Sequence, residues 1–316
     1  MNSRVKELDF LKCIFIILMI IFHLVYIGDS YPYAKQVVYT FHMSAFLVIS
    51  GYLNNVNKKI KAFGRSLLWI FIPYVCMETG YVIMSAILPV REKITELSAG
   101  LLLHKAIIAP MGPYWYLHTL MLCNASYYLM YRMTNKWKGI TRFILLGILL
   151  YGLSELKLLT FANAIYFLAG VAIRQSGNNI IRIFQPSLLA LFPLIILCYF
   201  PENLNRGTLA GVTITYLVIS LLLATYTYLT EQIKKILLYI GSNTLVILLF
   251  SPVFTILSKL YLPLFAFDAT GICFTIVSVV FVICGCFGVT YIFDRLHISP
   301  YFLGKKQMLP PYSSAD

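Results

Sequence analysis

"FLKCIFIILMIIFHLVYIG", residues 10–28, is an apolar run interrupted late by one ionisable side chain, His23. A membrane-spanning helix needs about 20 predominantly apolar residues, so the run is long enough to cross a bilayer. Working outward, comparable runs recur at about 37–53, 66–89, 113–131, 143–159, 161–173, 186–200, 208–230, 236–258 and 269–293. The 316 residues are 60% hydrophobic and only 12% charged, more apolar than a soluble domain of this length needs. The pattern predicts an all-α integral membrane protein of about ten transmembrane helices. Residues 1–295 are expected to form one transmembrane domain and 296–316 a short cytoplasmic tail. The runs at 161–173 and 186–200 are short, so tilted, broken or extended helices are expected there.

Charge placement gives an orientation. If the N-terminus is cytoplasmic, alternate connections should be rich in Lys and Arg. The inward set is Arg4, Lys6, Lys12, Lys58, Lys59, Lys61, Arg65, Arg132, Lys136, Lys138, Arg142, Arg174, Arg182, Lys234, Lys235, Arg295, Lys305 and Lys306. The smaller outward set is Lys35, Arg91, Lys93, Lys105, Lys157, Arg206 and Lys259. Both termini are therefore expected in the cytoplasm. The net charge of +13 then reflects topology and attraction to anionic lipid rather than a nucleic-acid partner. The basic start superficially resembles a signal peptide, but Asp9 interrupts it and no small-residue cleavage site follows, so a retained first span is expected.

The seven cysteines all fall within apolar segments and are odd in number. They suit neither a disulfide framework nor a metal site and are expected to be small buried packing residues. No pair of broken helices of the kind transporters use stands out. The connection at about 90–112 places Ile94, Leu97, Leu101 and Leu102 at helical spacing, which predicts an interfacial helix or re-entrant cap.

Ionisable residues within spans are costly and usually face a bundle interior or a cavity. His23, His42 and His118 each fall about five residues inside the outer boundary of their spans, or roughly 8 Å deep. One outward-opening pocket containing all three is expected, with interhelical packing as the alternative role, favoured for His118. Asp9, Lys12 and His23 share one face of the first span, a polar stripe about 21 Å long. That stripe would line a path across the membrane, unless Asp9 and Lys12 are an interfacial snorkelling pair. Glu78 is the deepest carboxylate, and no partner for it can be chosen from the residues alone.

Several segments carry a family resemblance. "RVKELDFLKCIFIILMIIFH" (4–23) and "FHMSAFLVISGYL" (41–53) are the most specific. "IPY" (72–74), "YWYL" (114–117), "YFLAGVAI" (166–173) and "YIGSNTLVILLFSP" (239–252) follow in order. The chain resembles the acyltransferase family 3 membrane proteins, integral membrane sugar O-acetyltransferases, of the stand-alone type.

The resemblance implies transfer of an acetyl or similar acyl group from cytoplasmic acetyl-CoA (or another acyl-CoA) to a carbohydrate hydroxyl. The setting would be the plasma membrane, with no metal. It implies His23 as the general base and His42 as a group that orients the acceptor or stabilises developing charge. Asp9 and Lys12 would stand at the donor's entrance, with Lys58, Lys59, Lys61 and Arg65 holding CoA phosphates. Glu78, Tyr114, Trp115 and His118 are expected around the substrate pocket.

The chain also departs from the family pattern. Leu68 stands where a second Arg would follow Arg65, Ser251 replaces a His before Pro252, and Ser44 replaces a Pro. A transporter or flippase of a sugar or lipid-linked saccharide is the alternative, and a sensor or scaffold that lost catalysis is a third.

Overall fold

The computed structural model describes residues 5–87, 94 and 96–310, and among these it is helical with no strand. The elements are α1 (Lys6–His23), α2 (Val25–Ser30), α3 (Pro32–Leu53), α4 (Ile60–Ile87), α5 (Ala99–Ile107), α6 (Trp115–Met133), α7 (Gly139–Glu155) and α8 (Phe161–Gln175). They continue with α9 (Ile180–Ile183), α10 (Leu191–Tyr199), α11 (Leu209–Thr227), α12 (Glu231–Ser242), α13 (Thr244–Leu257), α14 (Ile272–Arg295) and α15 (Ser299–Phe302). Helices α3, α4, α11 and α14 are long and apolar enough to cross a membrane, and α12 with α13 makes a fifth span if that bent pair is one crossing. The chain is thus an α-helical membrane protein.

The expected segments coincide with helices, but three are not simple spans. The first helix begins at Lys6 and stops at His23, where Leu24 turns extended (φ −66°, ψ 108°) before α2. The 186–200 segment is helical only over Leu188–Tyr199, about 18 Å of rise, well short of an apolar slab about 30 Å thick. The 236–258 segment bends by 79° between α12 and α13, a broken helix where none was expected. Asn243 staples that bend: its Nδ2 donates to the Tyr239 carbonyl at 2.8 Å, and its own carbonyl accepts from the Val246 N–H. The expected interfacial helix is α5, while residues 88–93 and 95 of that connection lie outside the described residues.

Helix α1 sits centrally, packed against α3, α11, α12, α13 and α14. Close approach is achieved with small residues, as expected where lipid removes the hydrophobic drive for helix association. A Cβ on Gly170 would lie 2.0 Å from the Val48 carbonyl oxygen, and one on Gly51 would lie 2.2 Å from that of Phe167, so α3 and α8 cross backbone to backbone. Gly241 does the same for α12 against α1, beside the Asp9 carbonyl. Beyond α14, Asp294 accepts the Met308 N–H at 2.8 Å and the Leu309 N–H at 3.2 Å, docking residues 299–310 onto the bundle. All seven cysteines are free thiols; Cys13, Cys123 and Cys286 are buried as expected. Cys76, Cys273 and Cys284 instead face outward, because apolar membrane helices carry apolar residues on both faces.

The α3–α8 crossing makes a prediction. Gly170→Val should destabilise the protein by about 1–3 kcal/mol through overpacking, read as a lower melting temperature in detergent. Gly147→Ala, where an added Cβ meets nothing within 4 Å, should not lower it.

Candidate active site

The first three turns of α3 and the last turns of α1 face one another across a cavity of about 690 Å³. Met19 and His23 from α1, and Lys35, Tyr39, Thr40, His42 and Met43 from α3, form two of its walls. Their spacings of three or four residues place each set on a single helix face. His23 is half-buried and His42 is buried. The Nδ1 of His23 lies 2.7 Å from the Met19 carbonyl oxygen, and the Nδ1 of His42 lies 2.7 Å from that of Val38. A carbonyl only accepts, so each Nδ1 carries a proton, and in the neutral ring Nε2 is then the nitrogen with the lone pair. Both rings flank Tyr39, with centroid separations of 6.2 and 5.2 Å. Two imidazoles of fixed orientation, one from each of these walls, are the chemistry of a general base and a positioned neighbour.

The far wall comes from the connection between α10 and α11. Thr40 Oγ1 donates to the Leu204 carbonyl at 3.0 Å, and the Tyr166 hydroxyl donates to the Arg206 carbonyl at 2.8 Å. These two bonds hold Asn205 and Arg206 at the cavity, where the guanidinium lies over the Trp115 ring at 5.4 Å. Trp115 therefore lines the cavity. Lys35, Gln36, Tyr39, Asn205 and Arg206 were not anticipated. The signal for Lys35 and Arg206 was present: both are basic residues that the expected orientation puts on its disfavoured side.

A second cavity of about 340 Å³ begins where the first ends. Met43 and Leu248 line both. Its α1 wall is Lys12 and Ile16, continuing the face that carries Met19 and His23; α3 continues with Phe46, Ser50 and Asn54. Lys12 to His23 is eleven residues, or about 16 Å along the helix. The expected stripe is thus a wall shared by two end-to-end cavities. Polar groups ring the second one: Ser50 bonds the Tyr116 hydroxyl at 2.9 Å, Asn54 bonds Asn124 at 2.6 Å, and Lys58 donates to Ser66 at 3.3 Å. Asp9 does not line this cavity; it is paired at 2.6 Å to Lys12, which does. Of the basic cluster, Lys58 lines the cavity, whereas Lys59, Lys61 and Arg65 are exposed and line neither cavity.

Three expected pocket residues lie elsewhere. His118 does not join the other histidines: its Nε2 donates to the Ile107 carbonyl at 2.7 Å. It borders a third, largely apolar cavity of about 380 Å³ with Leu67, Phe71 and Tyr74, of which Leu67 also lines the second. Equal depth did not mean equal direction, because α6 turns this residue toward α4 and α5. Glu78 is fully buried and accepts the Met111 N–H at 2.6 Å. Tyr114 donates to the Leu249 carbonyl at 2.8 Å. Neither lines the two joined cavities; they fix the turn Gly112–Tyr114, which delivers Pro113 and Trp115 to the first cavity. No group of three or more metal-ligating side chains occurs among the described residues.

No curated protein and no solved structure matches the chain. The model of the acyltransferase domain family, Acyl_transf_3, matches residues 5–291, nearly the whole length and every element of both cavities. With that span of agreement, the chain belongs to the acyltransferase 3 family of membrane acyltransferases.

Proposed function

We propose that the protein moves an acetyl or similar acyl group from cytoplasmic acyl-CoA to a hydroxyl of a cell-surface or lipid-linked carbohydrate. It would act as a multi-pass plasma-membrane enzyme of about ten crossings, both termini cytoplasmic. The observation that carries the reading is the pair of cavities meeting at Met43 and Leu248, with cations at one end and two histidines of fixed orientation at the other. In this reading CoA docks at the Lys12 and Lys58 end, and its pantetheine arm, comparable in length to the stripe, carries the thioester past Met43. The acceptor sugar enters the larger cavity from outside.

There, His23 Nε2 takes the proton of the sugar hydroxyl as its oxygen attacks the thioester carbonyl carbon. A carbon–oxygen bond forms, the carbon–sulfur bond breaks, and the proton passes to the departing thiolate. His42 Nε2, an acceptor once Nδ1–H is bonded to the Val38 carbonyl, takes a hydrogen bond from another hydroxyl of the acceptor and positions it beside Tyr39. The transporter or flippase reading is favoured by one observation, the 79° break between α12 and α13 beside the passage.

The two readings separate in membrane vesicles given labelled acetyl-CoA and surface polysaccharide. Wild type should incorporate acetyl, and His23→Ala should lose at least about 100-fold of that rate. Equal incorporation by both proteins contradicts the assignment of His23, and sugar movement without any incorporation favours transport. In the same assay, Met43→Trp should block the junction of the cavities and lower incorporation at least about tenfold. Lys58→Ala should raise the KM for acyl-CoA about three- to tenfold, whereas Lys59→Ala and Lys61→Ala should not change it. His118→Leu should cost stability but leave KM unchanged.

A further inference from the structure

The histidine cavity has a charge that acyl transfer by itself does not call for. Among the described residues lining it, Lys35 and Arg206 are basic and no Asp or Glu is present. Arg206 is half-buried, and no described carboxylate forms an ion pair with it. The site thus holds, in Arg206, a cation with no carboxylate partner among the described residues, although burial disfavours its charge. The Trp115 ring beneath it stabilises the charge but accepts no ordinary N–H hydrogen bond, so the forked donors are not consumed there. The loop is anchored through the Arg206 backbone carbonyl and not through its side chain, so the guanidinium is not needed to hold the loop in place.

We propose that the acceptor is an anionic saccharide, bearing a carboxylate or phosphate that Arg206 binds while the sugar ring packs against Trp115. This rests on the larger cavity being the acceptor site, as argued above. A planar fork of N–H donors matches a carboxylate or phosphate in a way a point charge does not, so Arg206 selects for the oxyanion and not merely for negative potential. The neutral lining groups, Tyr39, Thr40 and Asn205, then meet hydroxyls of the same sugar. A neutral acceptor would leave a desolvated guanidinium unpaired.

The test is binding, measured by calorimetry on the purified full chain in detergent with no acyl-CoA present. The probes are a short glucuronate-containing oligosaccharide, its carboxyl-reduced neutral counterpart, and a phosphorylated counterpart. Wild type should bind at least one anionic probe about tenfold or more tighter than the neutral one, and the tighter of the two identifies the oxyanion. Arg206→Gln should bring the preference to within about twofold at an unchanged melting temperature, and Arg206→Lys should restore it only in part. Equal binding of neutral and anionic probes by wild type would overturn the proposal. So would a preference that survives Arg206→Gln. Because no transfer is measured, a failed acetylation assay and a failed binding preference are separate results.

Discussion

A helix that ends or bends within an apolar slab leaves backbone carbonyls and amides that lipid cannot satisfy. The protein meets that constraint at two places beside the site, and the site is made from the solutions. Where α1 stops, the Leu24 N–H serves the Ile20 and Ile21 carbonyls, and the Tyr39 hydroxyl reaches that of Phe22 at 3.3 Å. The His23 ring serves Met19. Tyr39, which meets the freed Phe22 carbonyl, thus also lines the larger cavity, and the bond to Met19 one turn back puts a proton on His23 Nδ1. At the second place, Asn243 closes the bend between α12 and α13, and the start of α13 that follows brings Thr244, Leu245 and Leu248 to the passage.

This coupling explains why α3 is the most enclosed of the candidate spans, with 72% of its most apolar window buried against 22% for α4 and α14. One face of α3 runs along both cavities while another is pressed against α8 through Gly51 and Gly170. The glycine crossing keeps α3 in a fixed position, and the Thr40 and Tyr166 hydrogen bonds tie the Arg206 loop to the same two helices. Positioning of His42, of the Met43 junction and of the distal cation therefore depends on one helix–helix contact remote from the cavity. An error of an ångström in that contact is carried into the site.

The helical membrane class was readable because apolar run length and composition decide it without any tertiary information. His23 with Lys12 was readable because both lie on one continuous helix, where periodicity gives direction as well as depth. His118 was misplaced because depth alone is one coordinate, and which way α6 turns depends on its neighbours. Lys59, Lys61 and Arg65 share their cluster with Lys58, but only the structure shows which of them reaches the cavity. The bend at Asn243 was hidden inside "YIGSNTLVILLFSP", an apolar run whose average hydropathy does not register a stapling amide. Arg206 was counted as an outward topology charge, since a loop residue enters a site only through contacts made by distant helices.

The central claim is that one passage joins the two ends of the molecule at Met43. It is tested most directly by placing a single cysteine there, Met43→Cys, in a chain whose seven native cysteines have been replaced. Membrane-impermeant thiol reagents are then applied separately to each face of oriented vesicles. Labelling from both faces, blocked from one of them by acyl-CoA, is the predicted result. Labelling from one face only, or from neither, would contradict the account.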